Sequence, residues 1–334
     1  MRQVWLADPA ARGGGGERHG VARPSPWTMG RRLRWLPWKE TLVAVSWRAV
    51  QGRLLFRPSG ELNDVVLGVF GRAQRLYRIR VCGLVVLSNH LHLLLVADHA
   101  EQVSSFMQYV GSKLAREVNR LVGWSGPVFQ GRYSMIVVTK EEGAQVERLR
   151  YLLAQGCKEN LVERLREWPG VHSVRALLDH EPLVGHWFDH TEKHAARRRG
   201  EELDPLRIAM PETLTLTSLP CWQHLSPEAY RRRIEELVEA IEREAATERA
   251  RTGSKVLGRR AVLGLHPHHR PATLAKSAAP LVHAATAAVR RAFREAYRRF
   301  VDAFRRAAET FCHQDLTAVF PAGSFPPAPP FVPG

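Results

Sequence analysis

Apolar positions along the middle of this chain alternate between two rhythms, one of period two and one of helical period. Thr41-Leu42-Val43-Ala44-Val45-Ser46-Trp47 reads as a strand rich in β-branched and apolar residues. Gly60 to Tyr77 then places Leu62, Val65, Val66, Val69, Phe70 and Ala73 at helical spacing. Residues 78–86 and 90–96 return to extended patterning, and the two residues Ser88-Asn89 between them predict an antiparallel hairpin. A second helix follows over 101–122, with Val103, Phe106, Met107, Val110, Leu114, Val118 and Leu121 on one face. Residues 133–139 form a fourth strand, and 141–157 a third helix that opens on acidic residues suited to a helix N-terminus. The order β-α-β-β-α-β-α predicts an α+β fold: a ferredoxin-like βαββαβ antiparallel sheet with two helices on one face and an added third helix. In that topology the first and third strands lie at the centre of the sheet.

The flanks are patterned differently. Residues 1–38 carry Gly13-Gly14-Gly15-Gly16, prolines and scattered arginines without apolar periodicity, and read as a disordered leader in which Met29 is a candidate start. The ordered pattern over 39–180 reads as one catalytic domain, and 181–320 as a basic, mostly α-helical extension. Within that extension 180–227 and 252–278 show no clear period. A helix begins at Ser226-Pro227-Glu228 and runs through Ile234, Leu237, Val238 and Ile241, with Ser226 as cap. Another covers 279–311, with Phe293, Tyr297, Phe300 and Phe304 near helical spacing. Residues 321–334 form a proline-rich tail.

Composition narrows the partners. Among 334 residues, 45% are hydrophobic and 25% charged, enough to bury a core, and the formal net charge is +16. Such a surplus favours a polyanion, nucleic acid first. No run of eighteen apolar residues is present, which argues against a membrane span, and the N-terminus has no signal-peptide core. Cys82, Cys157, Cys221 and Cys312 lie far apart, with the spacing of reduced thiols in a cytoplasmic protein.

The chemistry concentrates in Ser88-Asn89-His90-Leu91-His92-Leu93-Leu94-Leu95. On a strand, His90 and His92 leave the same face and together suit a divalent ion. On the third helix Tyr151 and Gln155 stand four residues apart, on one face. If that helix crosses the open sheet face, tyrosine and amide both approach the histidines. Gln155 would then add a neutral oxygen ligand and leave positions open for phosphate oxygens, a set suited to Mg²⁺ or Mn²⁺. Tyr109 and Tyr133 are the rival nucleophiles. Arg132, Arg150 and Lys158 flank the site as candidate phosphate contacts. The His266-Pro267-His268-His269 cluster lacks paired cysteines or a carboxylate, so a zinc site is disfavoured there.

The histidine segment resembles the HUH motif of the REP-associated tyrosine transposases. So do Gly126-Pro127-Val128-Phe129-Gln130-Gly131-Arg132-Tyr133, leading into the fourth strand, and Arg150 to Val162, similar to that family's nucleophile helix and its exit. Trp168-Pro169 through Leu177-Leu178 is similar to the end of the family's domain, so the resemblance spans about residues 40–180. It implies His90 and His92 as metal ligands, Gln155 as the third, and Tyr151 as the nucleophile on a DNA phosphate. It also implies single-stranded or hairpin DNA, REP-like palindromes, as partner, a nucleoid-associated protein, and a homodimer option in which the tyrosine helix serves either subunit. Two positions depart from the family pattern: Gln155-Gly156-Cys157 replaces Asn-Pro-Val, and Ser88 replaces a proline. The alternatives are a catalytically weak or domesticated DNA-binding protein that recognises repeated palindromes, and a metal-dependent phosphohydrolase that uses water.

Overall fold

The structure, a computed structural model, describes residues 32–179, 181–201, 208–272, 279–313 and 315–325. The first seven elements are β1 (Thr41–Arg48), α1 (Gly60–Tyr77), β2 (Arg80–Leu87), β3 (His90–Ala97), α2 (Ala100–Val122), β4 (Ser134–Val138) and α3 (Glu142–Leu153). They are followed by α4 (Val174–Asp179), β5 (Leu183–Phe188), α5 (His190–Arg199), β6 (Ala209–Leu214), α6 (Pro227–Thr252), α7 (Arg259–Gly264), β7 (Val282–His283) and α8 (Ala287–Cys312). The fold is α+β.

Five strands make one sheet in the order β2-β3-β1-β4-β7. β1 pairs antiparallel with β3 and β4, β2 antiparallel with β3, and β7 parallel with β4. Because strand side chains alternate, β3 sends Leu91, Leu93 and Leu95 into the core beneath α1 and α2. Leu94 and Val96 turn the other way, into a second core with α3 and α6. Backbone bonds from outside these pairings reach the outer strand β2, and β7 lies along β4. Val86 N–H donates to Val171, Ser173 N–H to Leu84 and Thr217 N–H to Val81 beside β2, while Thr139 N–H donates to His283 beside β4.

Local chemistry sets the helix ends. Ser59 Oγ accepts from Leu62 N–H at 3.1 Å and starts α1, and Gly123, at φ +63°, closes α2. α3 stops at Leu153, four residues before the expected Cys157, and Gly156 at φ +94° turns the chain away.

Two further expectations change. Of the leader, 1–31, with Met29, lies outside the described residues. Residues 32–38 do not behave as a disordered leader: Trp35 stacks on Phe300 of α8 at 5.1 Å and Leu36 is buried, because apolar rings there have a partner. The unpatterned stretch after 180 contains the antiparallel pair β5–β6, packed on α1. Its alternation is broken by Gly185 and Pro211, which hides it from period counting. Gly185 and Gly68 let strand and helix meet backbone to backbone; a Cβ on Gly68 would lie 2.1 Å from the His186 carbonyl carbon. Residues 326–334 of the tail lie outside the described residues. Among the described residues no helix is long and apolar enough to cross a membrane.

Candidate active site

β3 carries the histidines at the centre of the sheet, where His92 is flanked by Ser46 on β1 and Val85 on β2. Both imidazoles project from the face opposite α1 and α2. Their ring centroids are 4.8 Å apart, edge to face. α3 crosses this face and sets the Tyr151 ring 5.7 Å from that of His92, again edge to face. Tyr151 is half-buried and lines, with His90, His92, Gln155, Arg132 and Arg148, a cleft of about 850 Å³.

Gln155 reaches the site from the turn after α3 rather than from the helix. Its amide nitrogen donates to the Tyr151 carbonyl at 2.9 Å, and it is also a hydrogen-bonding neighbour of His90. One amide hydrogen is used on Tyr151, and the side-chain oxygen is the acceptor Gln155 brings to the site. His90 Nδ1 lies 2.6 Å from Asn89 Oδ1. Asn89 thereby assigns the proton to Nδ1, which leaves Nε2 of His90 as a lone pair. His92 Nε2 is buried without a hydrogen-bond partner.

Burial, aided by Arg48, pushes the His90 pKa down to about 4. Burial also holds His92 well below the ordinary histidine value, with the charges of His90 and Arg148 adding to the effect. Both rings are therefore neutral, the form that ligates metals. An orphaned imidazole nitrogen, a second imidazole lone pair and an amide oxygen gather in one place. That set fits a divalent cation. Among the described residues no three His, Cys, Asp or Glu side chains gather into a metal-binding group, so an ion here relies on the amide. The same holds for the 266–269 histidines: His268 instead bonds the Val122 carbonyl at 2.7 Å.

The flanking cations sort by helix phase. Lys158 Nζ lies 4.9 Å from the Tyr151 ring centroid, and the Arg148 guanidinium covers that ring at 4.7 Å. Arg132 lines the cleft and is exposed. Arg150 does not reach it: the side chain pairs with Glu244 of α6 and with Glu147. Arg148 is the residue that sequence reading passes over. It precedes Tyr151 by three positions and so shares its face, whereas Arg150 is a neighbour in sequence and points elsewhere. Tyr133 and Tyr109 both pack with the α1–α2 core, on the far side of the sheet from the histidines.

No protein-family model matches the sequence, and no curated protein matches it. Solved structures do match. The chain is similar to a REP-associated tyrosine transposase bound to a REP hairpin, at 13% identity, over 46% of this chain and 88% of that one, with a TM-score of 0.34. It is also similar to a Deinococcus radiodurans protein described as a transposase, at 16% identity, over 34% of this chain and 92% of that one, with a TM-score of 0.27.

Proposed function

We propose that the protein is a DNA transposase that nicks and rejoins single-stranded or hairpin DNA through Tyr151, on a ferredoxin-like βαββαβ core and with a divalent metal. The observation that carries this reading is the convergence of three unprotonated acceptors, on His90, His92 and Gln155, beside a tyrosine in an open, cationic cleft. A water-using phosphohydrolase has no need of a phenol at that position.

Tyr151 Oη attacks the phosphorus of a phosphodiester. The Oη–P bond forms and the P–O3′ bond breaks. The phenolic proton ends on the released 3′ oxygen, leaving a 5′-phosphotyrosine and a free 3′-OH. A later 3′-OH reverses the same exchange and restores Tyr151. Arg148 and Lys158 draw the phosphate to the ring and offset its charge. His90, His92 and Gln155 would hold the ion, Mg²⁺ or Mn²⁺, which would supply electrostatic stabilisation of the phosphoryl oxygens. The net charge of +16 supplies the long-range attraction for a DNA partner such as a REP-like palindrome.

Covalency tests the reading. The full chain incubated with labelled hairpin DNA and Mn²⁺ is expected to yield a protein–DNA adduct stable in denaturant, abolished by EDTA and by Tyr151→Phe. An equal yield from Tyr151→Phe, or DNA binding without any adduct across a hairpin library, overturns it in favour of a non-catalytic DNA-binding protein.

A further inference from the structure

Two helices of 26 residues, α6 and α8, are built from the same arginine-rich material and treat it in opposite ways. α6 carries six arginines against seven glutamates, and four of its arginines pair three or four residues away: Arg231–Glu235, Arg233–Glu236, Arg243–Glu239 and Arg251–Glu248. α8 carries seven arginines against three acids, and Arg299–Glu295 is its one such pair among the described residues. Arginine-rich composition loads both helices alike, so it does not explain the difference.

Among the described residues, four of the six α8 arginines without such a pair are ordered in space. Arg290, Arg294, Arg298 and Arg305 are exposed and follow one another by four, four and seven residues, which keeps them on one face over about 22 Å. The adjoining face is anchored: Phe293, Phe300 and Phe304 are buried, and Trp35 packs on the first two. The helix that carries the stripe also lies near the active site. The charges of Arg148 and Arg290 both bear on His283 in β7, and Arg148 covers the Tyr151 ring. Halfway along, Tyr297 lines a second cleft of about 440 Å³, which shares Arg132, Ser134 and Ala279 with the cleft of Tyr151.

We propose that this stripe of α8 docks the phosphate backbone of duplex DNA, the paired stem of a hairpin whose unpaired strand enters the Tyr151 cleft. The proposal rests on the transposase reading for the identity of that strand. A duplex suits the surface better than a single strand does. Single strands are held by aromatic rings on which bases stack, and α8 buries Phe293, Phe300 and Phe304 away from the stripe. What it leaves outward is charge at regular intervals, matching a backbone; 22 Å spans about six base pairs.

The test uses the full chain carrying Tyr151→Phe, so that binding is read without cleavage. Affinity is measured by fluorescence anisotropy for a hairpin with a stem of about ten base pairs and for oligothymidine of the same length, across about 50–200 mM salt. Adding R290Q, R294Q, R298Q and R305Q together is expected to weaken hairpin binding about 100-fold at the upper salt and to flatten the log–log salt slope by about 3. The loss on oligothymidine is expected to be much smaller. Lysine at the four positions restores most of the affinity, and a thermal melt checks folding. R231Q, R233Q, R243Q and R251Q on α6 make the same change in net charge and are expected to leave hairpin binding within about twofold. Wild-type-like hairpin binding by the α8 variant, an equal loss on oligothymidine, or an equal loss from the α6 variant overturns the docking surface. Failure of the adduct experiment with these differences intact removes the catalytic reading alone.

Discussion

The two faces of β3 divide its eight residues alternately and are finished differently. On one face Leu91, Leu93 and Leu95 are fully enclosed by α1 and α2. On the other, Leu94 and Val96 are enclosed by α3 and α6, but the end of the strand at His90 and His92 opens onto the cleft. Close packing completes the first face at these leucines, which carry no polar side-chain atom. The second stops short of it: His92 is 92% buried and its Nε2 still has no partner. Buried polar groups are nearly always paired, and this unpaired nitrogen is the one the proposed metal site would use. His172 sharpens the contrast. It too is buried on this side of the sheet, beside Val85, yet both nitrogens are used: Nε2–H donates to the Leu153 carbonyl at 3.2 Å and Nδ1 accepts from Val174 N–H at 3.1 Å.

If this difference is functional, substitutions on the two faces separate activity from stability. The largest effect is expected from His92→Ala, which should lower the rate of adduct formation about 1,000-fold or more while costing at most about 1 kcal/mol in a denaturant titration. Leu93→Ala, its neighbour on the enclosed face, should do the reverse: a loss of about 2–5 kcal/mol, with the adduct rate kept below the melting temperature. Similar activity losses from both would erase the distinction.

His172 gives an acid dependence. Its unfolded pKa of 6.5 falls to about 4 in the folded chain through burial, so protons bind the unfolded state more readily. The stability it contributes is fully present above pH 6.5 and is lost as pH falls toward 4, by about 3 kcal/mol at most. The urea midpoint should therefore drop less between pH 7 and pH 4 in His172→Gln than in the unmodified chain. The smallest effect is expected away from β3: Gly68→Ala should cost about 1–3 kcal/mol by forcing a methyl group against the His186 backbone, loosening the β5–β6 pair while leaving the adduct rate unchanged. Protease cutting within 183–214 reads that directly.

The sheet was legible because its pattern is local. Alternation in β1 and β3 and the apolar stripes of α1 and α2 are each complete within one element, and α1 spans Gly60–Tyr77 as its spacing predicts. The histidine pair was legible for the same reason, since i and i+2 on a strand need no tertiary information. Periodicity alone carries the third helix through Gln155, but that helix ends at Leu153 and Gln155 reaches His90 from a turn instead. Arg148 required choosing between two arginines by helix phase, and the partner that draws Arg150 away, Glu244, lies in a helix almost a hundred residues on. β7 has two residues, too few for any period, and exists because β4 offers it an edge.

That last pairing has a consequence for how the molecule is made. The β2 edge is covered by residues 171–173 and 217, but β4 waits for 282–283, so on the ribosome the sheet carries a bare edge while over a hundred further residues are added. Unpaired strand edges recruit other chains. A fragment cut at residue 180, where the regular pattern fades, would keep the histidines and the tyrosine and would carry that edge permanently. Such a fragment should self-associate through β4, and a charged residue introduced on that strand's outer edge, or residues 279–313 supplied in trans, should suppress it.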